Sequence, residues 1–268
     1  VVKTLQRSSG VSEGIELMSG LYVHGGSNDE NLFLIDGTPL YQVNHSLGLF
    51  SSFNSDMIKN VDFYKSGFPA RYGGRLSSVI DVRTRDGDFN HFHGSFRIGL
   101  LDGSLQFEGP IRKGRTSYNI GLRRSWLDLL TRPIFAIHNK KNDKNDDDIT
   151  LNYFFHDFNA KVTNIFSDRS RLSLSVYSGE DRIHTKDELK DDDINETELN
   201  EFNMNWGNLN AALNWEYVFS PKLFANFTAV YTHNVSKYKF LYDQRVVSRS
   251  GPHAGETSVT YMEYGYRS

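Results

Sequence analysis

An alternation of apolar and polar residues, sustained through seven successive segments between residues 91 and 238, most constrains what this chain can fold into. In 208–219, Leu209, Ala211, Leu213, Trp215, Tyr217 and Phe219 oppose Asn208, Asn210, Asn214 and Glu216. In 222–236, Leu223, Ala225, Phe227, Ala229, Tyr231 and Val235 oppose Asn226, Thr228, Thr232, Asn234 and Ser236. A period of two puts neighbouring side chains on opposite faces of an extended strand. The segments therefore predict an antiparallel sheet with one greasy and one wet face, and 257–264 offers an eighth strand. Such a sheet either buries its apolar face in a soluble sandwich or turns it toward lipid around a polar interior.

Connection lengths favour the second arrangement. The links 112–114, 167–169 and 220–222 are tight turns, whereas 131–150, 179–202 and 239–256 are long and charged. Short and long links alternate when every second connection is a periplasmic turn and the others are extracellular loops. Only the short link 101–103 breaks the rule. Trp126, Tyr153, Trp206, Tyr217, Phe219 and Tyr238 lie near segment ends, where interfacial aromatic girdles belong.

Composition narrows the classes further. A hydrophobic content of 38% and a mean hydropathy of −0.51 exclude a helical membrane protein, as no run approaches the 18 apolar residues a spanning helix needs. A barrel averages its lipid face with its lumen and loops, so it stays allowed. The net charge of −3 gives no reason to expect nucleic acid as a partner. With no cysteine, disulfides, iron–sulfur clusters and thiol catalysis are out. No nucleophile elbow, P-loop or zinc-protease motif is present, and the chain is not expected to be an enzyme.

The N-terminal third reads differently, with short strands at 21–23, 31–35 and 61–64 broken by glycine-rich turns. Residues 55–59 could form one helical turn capped by Ser55. Residues 66–88, SGFPARYGGRLSSVIDVRTRDGD, set Gly67, Gly73 and Gly74 beside Arg71, Arg75, Arg83 and Arg85, then alternate through 78–84 as a strand. Residues 1–86 thus predict a compact mixed α/β unit, and 87–268 the sheet. An eight-stranded barrel has room inside only for side chains, whereas plugged transporters have about 22 strands. The chain is accordingly expected to supply the first seven or eight strands of a larger barrel, its opening lying within a mature protein.

Four ordered stretches carry a resemblance: Tyr22-Val23-His24-Gly25-Gly26, Leu34-Ile35-Asp36-Gly37-Thr38-Pro39, residues 58–65, and Pro69-Ala70-Arg71-Tyr72-Gly73-Gly74-Arg75. Their order and spacing resemble the plug domain of the TonB-dependent outer-membrane receptors, in particular the Bacteroidetes-type branch. Glu108-Gly109-Pro110-Ile111 and Arg123-Arg124-Ser125-Trp126 look like that branch's first barrel hairpins. His24 stands where the family usually has Arg, and the small-residue spacing after Tyr72 is shortened.

The resemblance implies a bacterial outer-membrane location and uptake of a scarce nutrient such as an iron chelate, vitamin, glycan or peptide. It implies energy coupling to TonB of the inner-membrane complex, through a segment outside these residues, and leaves room for a surface lipoprotein partner. An assembly or signalling component that keeps the fold without transporting is the alternative, and a secreted β-rich binding module the third. The plug motif residues are His24, Gly25, Gly26, Asp36, Gly37, Arg71, Tyr72, Gly73, Gly74, Arg75, Arg83 and Glu108. Arg71, Arg75 and Arg83 are the expected cations holding the plug to Glu108 or Asp157 on the wall. No cofactor is expected. The acidic runs 143–148 and 187–198 lack the EF-hand spacing for calcium. His91 and His93 share a strand face but have no third ligand adjacent in sequence, so no metal is expected.

Overall fold

The computed structural model describes residues 2–13, 21–41, 43–141, 148–191, 196–247 and 257–267. It is organised as two compact units. One comprises 1–124, 156–179 and 207–234; the other comprises 125–155, 180–206 and 235–268. Residues 143–147 and 192–195 of the two acidic runs lie outside the described residues.

The N-terminal region opens on α1 (Val2–Leu5) and the hairpin of β1 (Val11–Glu13) with β2 (Leu21–Val23). Next come β3 (Asn31–Ile35), β4 (Thr38–Pro39), the small pair β5 (Asn44–His45) and β6 (Phe50–Ser51), then β7 (Ile58–Tyr64) and β8 (Ser78–Thr84). A four-stranded sheet of order β4-β3-β8-β7 is its frame, with β3 parallel to β8 and β7 antiparallel to it. A parallel pair inside a sheet is covered on both faces, and β8 is accordingly buried at every position but Arg83. Leu21, Val23, Phe33, Ile35, Leu40, Val43, Phe53, Ile80 and Val82 form the core.

The turn between β3 and β4 follows from Asp36-Gly37. Both residues take positive φ, 48° and 88°, as the two-residue hairpin that matches strand twist requires. The single turn at Ser55–Met57 is a 3₁₀ helix, and its cap is Asn54 rather than Ser55: the Asn54 side chain accepts from the Asp56 amide at 3.1 Å.

The second sheet has eight antiparallel strands in chain order: β9 (His93–Ile98), β10 (Asp102–Arg112), β11 (Thr116–Ser125), β12 (Asp148–Ser167), β13 (Ser170–Asp191), β14 (Glu196–Ser220), β15 (Leu223–Val247) and β16 (Thr257–Arg267). Its faces are inverted relative to a soluble sheet. Leu209, Leu213, Trp215 and Phe227 are 40–52% exposed, while Asn208 and Asn210 are buried. Ser104, Gln106 and Glu108 are likewise buried between exposed Leu105 and Phe107. A wall with apolar side chains outward and polar ones inward is the pattern of a transmembrane barrel. Among the described residues no helix is long and apolar enough to cross a membrane, which says nothing about strands.

Three expectations need correction. The link 179–202 is strand throughout its described residues, β13 reaching Asp191 and β14 starting at Glu196, and 239–247 continues β15 to Val247. In 180–191 the polar sequence hides this, because neither face there is apolar. Charge pairs two residues apart on one strand face stabilise these extensions instead, as in Glu180 with Arg182 and Asp243 with Arg245. At about 3.3 Å per residue, the 25 residues of β14 extend well beyond an apolar band about 25 Å tall. The link 131–150 contains α2 (Leu127–Lys141), whose Asn139 side chain pairs with both the amide and the carbonyl of Ile149. Trp206 is buried rather than part of an outer girdle, because it shares strand parity with inward Asn208 and Asn210. Trp215, Tyr217, Phe219 and Phe227 do form an aromatic cluster, with ring centroids 4.6–5.8 Å apart.

Candidate functional site: the seam between plug and wall

Within the first unit, the N-terminal domain meets the polar face of the sheet along a seam with two charge centres, the first buried and the second partly so. The first is Asp157 on β12. His45 donates to its Oδ1 through Nε2 at 2.9 Å, and the Tyr177 hydroxyl donates to the same oxygen at 2.9 Å. Arg123 on β11 donates to Oδ2 through Nε at 2.8 Å and Nη2 at 2.5 Å. Arg123 faces Asp157 because the two are register partners. All four side chains are buried, so the pairing must be close and fully hydrogen-bonded to offset desolvation.

The second centre collects Asp36, Asp86, Lys161 and Arg171. Lys161 Nζ lies 3.4 Å from Asp36 Oδ1 and 3.3 Å from Asp86 Oδ1, and Arg171 Nη2 lies 2.5 Å from Asp86 Oδ2. Asp36 also accepts from the amide and hydroxyl of Thr84, tying the hairpin turn to the end of β8. Burial works to raise the pKa of Asp86, but Lys161 and then Arg171 outweigh it and hold the carboxyl below its ordinary value.

Much of the remaining contact runs from wall side chains to the plug's main chain. Arg123 donates to the Ser51 carbonyl, Lys161 to Thr84, Asn119 to Arg85 and Ser117 to Asp86. The β3–β4 hairpin is held in the same manner. Asn214 donates to the Asp36 carbonyl at 3.4 Å, and both Asn210 and Thr232 donate to Pro39, at 2.6 and 3.1 Å. Gly87, at φ +86°, leads the chain into the sheet, and a Cβ there would collide with the Tyr118 carbonyl.

The structure redistributes the residues singled out by sequence. Glu108 pairs with Arg85, and Asp157 with His45 and Arg123, so neither carboxylate takes Arg71, Arg75 or Arg83. Those three make their recorded contacts inside the plug. Arg71 donates to the Tyr72 hydroxyl at 2.7 Å and lies over its ring, and Tyr72 donates to Asp81 at 3.0 Å. Arg83 pairs with Asp81 at 2.8 Å, and Arg75 donates to the Gly74 carbonyl. Burial, ahead of the neighbouring Asp81, raises the Tyr72 pKa. Gly73 and Gly74 border open space, Gly74 at positive φ. His24 and Gly25 form a turn closed by the Gly26 amide on the Val23 carbonyl at 2.9 Å, and a Cβ on Gly26 would strike Ser77.

His45, Asp86, Lys161, Arg171 and Tyr177 are among the seam residues that sequence reading missed. Lys161 was visible as an inward cation in an alternating strand. His45, 112 residues from its partner, left no local signal.

A folded stopper tied to the polar face of an outward-apolar sheet is the arrangement of a plugged transmembrane barrel. Residues 1–79 match the family model described as "TonB-dependent Receptor Plug Domain", which identifies that segment as a plug domain of this type. A search of curated proteins finds no match.

Among solved structures the chain is similar to a mutant of the ferric enterobactin receptor PfeA from Pseudomonas aeruginosa (13% identity, TM-score 0.46, covering 100% of this chain and 52% of that one). It is also similar to the siderophore receptor PirA from Acinetobacter baumannii (12% identity, TM-score 0.45, 99% and 45%). For FpvA from P. aeruginosa bound to heterologous pyoverdines the figures are 11% identity, TM-score 0.38, 100% and 46%. The chain spans about half the length of these structures.

Proposed function

We propose that this chain is the plug, over 1–86, and the first barrel strands, over 87–268, of a receptor that imports a scarce nutrient across the outer membrane. Iron chelates, vitamins, glycans and peptides are the candidate cargoes, and force from TonB of the inner-membrane complex shifts the plug. The Bacteroidetes-type motifs quoted above favour that branch. The outer strands β9 and β16 each pair on one side only among the described residues. Unpaired backbone groups are costly in lipid, which supports a barrel of about 22 strands as in other plugged transporters.

The observation that carries this reading is the composition of the seam. It is built from charges and single hydrogen bonds to main-chain carbonyls rather than from an apolar interface. Polar contacts can be exchanged one at a time for contacts with water as the plug moves, which an extended hydrophobic interface does not permit. The test is uptake. A deletion strain should fail to grow on, or accumulate, one class of scarce nutrient and recover with the wild-type gene. A variant locking plug to wall through Met57→Cys/Gly121→Cys, where a Cβ on Gly121 would lie 2.8 Å from Met57 Cγ, should restore nothing until a reductant is added. Full recovery with the lock closed would sink the reading.

A further inference from the structure

A group of metal-donor side chains lies outside the seam, in the few residues joining the plug to the sheet. Asp88 folds back over the following turn, so that its Oδ1 accepts from the amides of Asn90 at 2.6 Å and His91 at 2.9 Å. This leaves Oδ2 facing both imidazoles, 3.0 Å from His93 Nε2 and 3.9 Å from His91 Nδ1. One donor atom from each of the three residues falls within 4.8 Å of the others. The expectation that no third ligand lies near the two histidines in sequence is overturned: Asp88 stands three residues before His91, and the backbone reversal brings its carboxylate to them.

We propose that Asp88, His91 and His93 bind one divalent transition-metal ion of the zinc class at the joint between plug and wall. Two imidazole nitrogens and one carboxylate oxygen suit zinc and its borderline neighbours copper and nickel, whereas calcium and magnesium call for all-oxygen sets. Zinc holds such donors at about 2.0–2.2 Å, which sets tetrahedral donor–donor separations near 3.3 Å. The pair at 3.0 Å already fits, and a small rotation of the exposed His91 ring brings in the other.

The surroundings hold the donors in place. The two amides on Oδ1 fix the carboxylate as an outer-shell partner would. The Phe89 carbonyl accepts from the Gly114 amide at 2.9 Å, pinning the linker to the turn between β10 and β11. His93 is the first residue of β9 and is paired in register with Glu108. Glu108 itself is held by Arg85, so it does not compete for the histidines. The two imidazoles face solvent and the Asp88 carboxylate does so in part, which leaves the fourth position open to water.

The test uses protein purified in detergent without a histidine tag, stripped with chelator, and titrated with zinc by calorimetry. One equivalent per chain should bind, with affinity falling at least tenfold in Asp88→Asn and in His93→Ala and unchanged in His184→Ala. Cobalt in place of zinc should give the intense visible absorption of a low-coordinate nitrogen–oxygen site. Exposed His91 and His93 can be replaced without disturbing the fold. Equal zinc binding by the His91→Ala/His93→Ala double variant, or no binding by wild type, would overturn the assignment.

Discussion

His45 Nε2, on a two-residue strand of the plug, lies 2.9 Å from Asp157 Oδ1 in the middle of a barrel strand, and neither side chain is more than 2% exposed. This contact joins the plug to the wall at a point shielded from water until the plug moves.

Removing Asp157 should therefore cost more than removing any exposed seam charge. Asp157→Ala leaves the buried Arg123 guanidinium without its counter-charge, which costs about 3–5 kcal/mol. Thermal unfolding in detergent should show the loss, and Asp157→Ala/Arg123→Met should recover much of it. No recovery in the double variant would mean that the pair is not the source of the stability.

The plug's grip should depend on Arg85 rather than on Arg71 and Arg75. Arg85→Ala breaks the pair with Glu108, whereas Arg71 and Arg75 make their recorded contacts within the plug. Limited proteolysis of intact protein should cut the plug faster in Arg85→Ala than in the Arg71→Ala/Arg75→Ala double variant. The reverse order would contradict the seam described here.

Acid should weaken the second charge centre. The folded-state pKa of Asp86 is lowered, so its contribution is complete above the unfolded value of about 3.9 and disappears as pH falls through the lower folded value. Asp86→Asn should be less stable at neutral pH and lose less on acidification below about pH 4. Melting curves from pH 7 to pH 3 check this; parallel acid limbs for the two proteins would contradict it.

Leu213 on β14 tests the orientation of the wall. Leu213→Arg should destabilise the folded barrel by about 2–4 kcal/mol if it sits near the bilayer midplane, while Leu213→Ile should change stability by less than about 1.5 kcal/mol. Folding into lipid vesicles, followed by heat-modifiable gel mobility, measures both. Tolerance of the arginine would place that face in water.

Local features of this fold were legible where one short stretch decides the structure. Asp36-Gly37 announces its turn, and Ser78–Thr84 is a strand to the residue, because turn chemistry and β-branched alternation act over a few neighbours. The inward or outward sense of Leu209 and Asn210 was legible for the same reason. The polar end of β13 was not, since alternation between two hydrophilic sets looks like a loop. In α2, Leu127, Leu130, Ile134 and Ile137 carry helical spacing, but Pro133 and the charged stretch that follows masked it. The seam was least visible. The Arg123–Asp157 pairing follows once the register of β11 and β12 is known, yet nothing near His45 indicates where its partner lies.

The wall's habit of grasping plug carbonyls, at Asp36, Pro39, Ser51, Thr84, Arg85 and Asp86, bears on how such a molecule can evolve. Carbonyl oxygens are common to every amino acid, so many plug side chains are free to drift while the docking surface survives. A foreign stopper with the same backbone trace should seat in this wall even where few of its residues are shared, and identity between two such receptors will understate how interchangeable their parts are.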